Sequence, residues 1–127
     1  MISLDALLSH AETMLQATPE AIEINVLLTS GDRIFSIPVY RLEDIIDESY
    51  CRQQLRNIPD TKMDCILSMW QDSSSIDMPS YALRTQLLAL NPDNRDTAIF
   101  LFGEHGIHPF PLVRTMAPAT LNRLGDS

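Results

Sequence analysis

Glu104, His105 and His108 lie within five residues of one another, in the stretch Phe102-Gly103-Glu104-His105-Gly106-Ile107-His108-Pro109. Imidazoles and carboxylates are ordinary zinc ligands, and a zinc site needs three or four of them. Pro109 restrains His108, and no HxH or CxxC pair supplies the missing ligands. The stretch reads instead as a bend. Phe102 ends one strand, Ile107 begins the next, and Gly103-Glu104-His105-Gly106 is a four-residue hairpin loop. The glycines supply positive φ, and Glu104 and His105 form a polar tip free to touch a partner. No metal and no cofactor is expected.

The other reactive side chains fare no better as catalysts. Cys51 follows an acidic stretch, which raises a thiol's pKa and blunts it. Cys65 sits among apolar residues and reads as core filling. Asp44 with Asp47, and Asp93 with Asp96, are spaced as carboxylate pairs. General acid–base work needs one carboxyl held in an apolar pocket, whereas these fall on a helix surface and in a polar turn. Ser73, Ser74 and Ser75 lie in no GxSxG elbow, and four scattered glycines build no phosphate-cradling loop. The sequence therefore points away from an enzyme.

Charge points toward a partner. The chain has 127 residues, nine basic and seventeen acidic, for a formal net charge of −8. Such a surface repels phosphate backbones and anionic lipids, so nucleic acid and membrane are not expected as partners. A basic protein would be drawn to it. Glu43, Asp44, Asp47 and Glu48 form the densest acidic band, Asp93 and Asp96 are candidates to extend it, and Tyr50 is an aromatic anchor of the kind enriched in interfaces. With Glu104 and His105 these make the expected partner-binding set. In size and composition the chain resembles bacterial immunity proteins, the small acidic inhibitors of toxin nucleases. That resemblance is one of class, carried by no motif. It implies a non-catalytic binding protein that neutralises a basic toxin domain. A secretion or assembly chaperone is the alternative, and a small cysteine- or metal-dependent enzyme the second alternative.

The elements that would position these residues follow from periodicity. Ser3 caps a helix with Leu4, Leu7, Leu8, Ala11, Met14 and Leu15 at 3.6-residue spacing, ended by Pro19. His10 lies off that stripe and is expected in solvent. Ile22, Ile24, Val26 and Leu28 alternate with Glu23 and Asn25, which predicts a half-buried strand. Ser30-Gly31-Asp32 turns the chain into a second strand, where Pro38 marks an edge or bulge. Residues 41–56 predict a helix, acidic first and basic last, with a break near Ser49 allowed. Lys62–Gln71 predicts a third strand. Asp77 caps the next helix, with Pro79 just inside it and Leu83, Leu87 and Leu90 buried. Thr97–Phe102 is apolar on both faces and reads as a central strand. After the bend, Pro109 and Pro111 blunt one side of an outer strand.

The result is an α+β chain of order αββαβαββ. It is a mostly antiparallel five-stranded sheet with helices on one face. Residues 1–127 are expected to form one domain, with 116–127 a partly frayed tail. No apolar run approaches a membrane span, the first residues lack a basic segment, and two cysteines make no disulfide framework. A cytoplasmic protein is expected.

Overall fold

The computed structural model describes residues 3–42 and 45–116. The elements run α1 (Leu4–Ala17), β1 (Glu23–Thr29), β2 (Ile34–Val39), β3 (Arg41–Leu42), β4 (Ile45–Ile46), α2 (Glu48–Arg56), β5 (Met63–Trp70), β6 (Ser75–Ile76), α3 (Tyr81–Leu90), β7 (Ala98–Gly103) and β8 (Gly106–Pro111). Short 3₁₀ turns at Pro92–Asp96 and Leu112–Thr115 flank the last two strands. The α+β class stands.

The sheet is mixed and has six strands. Its main path is β2-β1-β5-β7-β8, and β6 pairs with β5 off that path. All neighbours are antiparallel except β5 and β7, which run parallel. Parallel strands need a long crossover, and α3 supplies it. β7 is an inner strand and β8 an edge, as expected from their apolar and proline patterns. Among the described residues no helix is long and apolar enough to cross a membrane.

Helices cover both faces of the sheet, not one. Leu7, Ala11 and Leu15 of α1 pack with Ile24, Val26, Leu28, Cys65, Leu67 and Met69. The opposite residues of the same strands, Leu27 and Ile66, pack with Cys51 and Leu55 of α2 and with Leu83 and Leu87 of α3. β1 is consequently buried along its whole length. The half-buried strand expected there is corrected: Glu23 and Asn25, the polar members of the alternation, lie at 0% exposure. They face the two-helix layer and not water.

Helix ends follow their caps. The Ser3 side chain accepts the Ala6 N–H, and the Ser80 side chain accepts the Leu83 N–H. The α3 cap is thus Ser80, three residues beyond the expected Asp77, which instead accepts the Met78 N–H. Residues 41–56 do not form one helix. The Tyr40 carbonyl accepts the Asp47 N–H, closing the two-residue ribbon of β3 and β4, and Asp47 then caps α2 by accepting the Tyr50 N–H. An aspartate N-cap with non-helical backbone ends any helix arriving from the N-terminal side.

Candidate functional site

The buried polar residues fall in two groups, Thr29, Asn94 and Thr97 at the Met63 end of β5 and Glu23, Asn25, Ser68 and Ser80 toward its Trp70 end, and the second group borders a cleft. Register fixes which end: Glu23 pairs with Trp70, and Thr29 with Met63. α3 begins beyond Trp70, so its first turn rises over the Glu23 end. The Glu23 carboxylate accepts the Ser80 backbone N–H at 3.2 Å and 3.4 Å through its two oxygens. One step along the same strand face, the Asn25 side chain donates to the Ile37 carbonyl at 3.2 Å and accepts from the Ser68 hydroxyl. Glu23, Asn25 and Ser68 form a polar ladder inside an otherwise apolar layer. Burying such groups is tolerated only when they are paired, and these are.

Burial pushes the Glu23 carboxyl above the ordinary value of 4.5. Hydrogen bonds from the Ser80 and Asn25 side chains and the Ser80 backbone, and the charge of Arg84, pull the other way. Cys51 lies close enough to feel Glu23. Its thiol is pushed up to about 12, first by burial and then by the charges of Glu23 and Glu48. Cys65, on the α1 face, is pushed up to about 11 by burial and by Asp64. Both cysteines are free and buried. Burial thus disfavours the thiolate at both positions.

A cleft of about 470 Å³ opens outside this ladder, lined by Trp70, Asp72, Ser73, Asp77, Met78, Pro79, Ser80, Tyr81 and Arg84. Trp70 is fixed by donating its indole N–H to the Met78 carbonyl at 2.8 Å. Arg84 is committed to structure. Its Nε donates to the Pro79 carbonyl at 3.0 Å, and its Nη1 to the Thr115 carbonyl at 2.6 Å. Its guanidinium also lies 5.8 Å from the Tyr81 ring centre. Arg84 thereby ties the start of α3 to the last described segment. Burial lowers its pKa, which Tyr81 and Glu23 oppose.

The residues singled out from sequence are spread over three places. Asp47 and Glu48 start α2, and Tyr50 packs edge-to-face on Tyr40 with ring centres 5.1 Å apart. Asp93 and Asp96 are exposed in the 3₁₀ turn after α3, beside Asn94, whose side chain accepts the Met63 N–H. They sit at the Met63 end of β5, and α2 starts at the other end, where β2 finishes opposite Glu23. A seven-residue strand of roughly 20 Å separates the two ends. Glu104 and His105 form the exposed tip of the β7–β8 hairpin. That hairpin is tighter than expected, because Gly103 and Gly106 still pair and only two residues turn. Gly106 has φ +114°, and a Cβ on Gly103 would approach the His108 ring to 2.9 Å. Glu43, Asp44 and the tail beyond Met116 lie outside the described residues. Glu23, Asn25, Ser68, Ser80 and Trp70 were missed as site residues. Their one signal was that Glu23, Asn25 and Ser68 interrupt strongly apolar strands.

No protein-family model matches the chain, and no curated protein matches it in sequence. Its fold does match solved structures. Two variants of the cytidine deaminase from Mycobacterium tuberculosis superpose with TM-score 0.67 at 13% identity, over 93% of this chain and 98% and 94% of theirs. The cytidine deaminase from Mycobacterium leprae does so with TM-score 0.62 at 11% identity, over 91% of this chain and 98% of that one. These neighbours are enzymes of a small molecule. They overturn the expectation of a non-catalytic, immunity-type inhibitor whose partner is a basic toxin. Acidic composition misled because it describes the surface, whereas the backbone path is set by the core. The expected resemblance to immunity proteins had no motif behind it.

Zinc-dependent nucleobase deaminases hold their metal with a His/Cys/Cys or Cys₃ set, marked by H-x-E and P-C-x-x-C. Pro79-Ser80-Tyr81-Ala82-Leu83 keeps the proline and the spacing of the second element but places serine and leucine at its two cysteines. α2 has no histidine, and two residues after its cysteine stands Gln53. Among the described residues, no three His, Cys, Asp or Glu come together as a metal would require. The chain has the fold of the cytidine deaminases, with a cysteine on α2 but serine and leucine where P-C-x-x-C has its two cysteines.

Proposed function

We propose that this chain is a single-domain enzyme of a small, planar, nucleoside-like molecule, which it takes into the cleft at the start of α3. The observation that supports this most is the cleft itself. Its volume falls in the range of small-molecule sites, and it combines an apolar body with a few fixed polar groups. Trp70 and Tyr81 offer ring faces for stacking a flat heterocycle. Asp72 and Asp77 offer acceptors for its N–H groups, and the N-terminal turn of α3 offers a positive pole beneath it. The likeness to cytidine deaminases favours a nucleoside-like substrate over other small molecules. Because serine and leucine replace the cysteines, no step of the reaction is routed here through zinc.

Two free, buried cysteines suit a reducing compartment, and we place the protein in the cytoplasm. The test is a panel of nucleosides and free bases, read by thermal shift and by release of ammonia. At least one member is expected to raise the melting temperature, and Trp70→Ala is expected to weaken its binding about tenfold or more, the loss of one good stacking contact. A panel that leaves the protein unshifted, or binding indifferent to Trp70, sinks the reading.

A further inference from the structure

We infer that Glu23 takes the structural place of a metal ion in this fold, so that the junction of β1, α2 and α3 is assembled by an internal carboxyl group. In the zinc-binding pattern the first cysteine of P-C-x-x-C stands where this chain has Ser80. A metal there would bind that residue and a residue of the other helix together. Glu23 is the group that reaches the start of α3 from the sheet here. Its two oxygens accept the Ser80 N–H at 3.2 Å and 3.4 Å, and it lies near enough to Cys51 of α2 to perturb that thiol. It is completely buried and held from the strand side by Asn25.

The electrostatics are inverted to match. A zinc site sets a cation among anionic ligands. Here an acidic group is buried, and the N-terminal turn of α3 and the Arg84 guanidinium offset only part of the cost of that burial. The side chains at the cysteine positions have moved to other work. Ser80 caps α3 with its hydroxyl, and Leu83 is fully buried in the core between helix and sheet. Leu83 has no donor atom for a metal, and the Ser80 hydroxyl could bind one only by giving up the helix cap.

The inference stands apart from the proposed substrate and is tested without it. The full-length protein is incubated with zinc sulfate, desalted, analysed for metal and melted with and without EDTA. Substoichiometric zinc and an unchanged melting temperature are expected. Glu23→Ala, which strands the Ser80 N–H and empties the junction, is expected to lower the melting temperature by about 5–10 °C. Glu23→Gln keeps an acceptor of the same shape and should recover most of that loss. One equivalent of tightly held zinc, a fall in melting temperature with EDTA, or a Glu23→Ala variant that melts with the wild type would each overturn the inference. If Glu23→Ala does not fold, the metal analysis and Glu23→Gln still decide.

Discussion

The two faces of β1 and β5 are built from the same pair of strands and differ in kind. Toward α1 the strands present Ile24, Val26, Leu28, Cys65, Leu67 and Met69, with no polar side chain in the cluster. Toward α2 and α3 they present Glu23, Asn25 and Ser68 beside Leu27 and Ile66. Both faces are equally dry, so burial alone did not demand polar residues on one of them. An apolar ladder would have stabilised the second face at least as well, since buried polar pairs roughly break even against well-packed hydrophobes. The polar ladder runs to the end of the sheet where the cleft opens. Both faces carry core, and the second also brings polar groups to the edge of the cleft.

That contrast can be broken from either side. Leu67→Ala on the α1 face should cost about 3 kcal/mol of stability by denaturant unfolding while leaving any ligand affinity at the cleft unchanged. A loss of affinity equal to that of Trp70→Ala would mean that the faces are not separate. Asn25→Ala on the other face removes less volume but strands the Ser68 hydroxyl and the Ile37 carbonyl. About 2 kcal/mol should be lost, and unlike Leu67→Ala the change should also disturb the cleft, visible as altered Trp70 fluorescence.

The subtlest test uses acidity. A carboxyl whose folded pKa is raised binds its proton more tightly in the folded state. Below pH 4.5 both states hold that proton and Glu23 costs nothing. As pH rises from 4.5 through the folded value, the folded state must ionise a buried group, and its stability falls relative to the unfolded chain. Glu23→Gln cannot ionise, so its stability relative to wild type should rise across that same interval. Parallel pH–stability curves for the two proteins would show that the carboxyl is not perturbed.

Much of the fold was legible. Apolar spacing located α1, β1, β2, β5, α3, β7 and β8, and the prolines placed β8 at an edge. The sheet's second covered face was not legible, because alternation marks which residues are polar and not what lies above them. Glu23 and Asn25 satisfied the pattern of a solvent face and were buried by a helix pair more than twenty residues away in sequence. The parallel β5–β7 pairing was present in the order of elements, since α3 between two strands is the usual crossover. The break in residues 41–56 came from one side chain, Asp47, whose capping strength competes with helical periodicity. The site was not legible because its members are strands and helix starts joined only by the fold. Histidines and cysteines drew attention, whereas the titratable group that the fold buries beside the cleft is a glutamate inside a hydrophobic strand.

The β7–β8 hairpin is joined to itself along six register pairs and to β5 along only two, Cys65 with Ala98 and Ile66 with Ile99. Past Ile99 it no longer pairs with β5, yet Phe100, Leu101 and Ile107 still pack on the core, and its far end carries the exposed Phe102. Only the tip at Glu104-His105 is turned wholly to solvent, so insertions and length changes there should be absorbed with little loss of global stability.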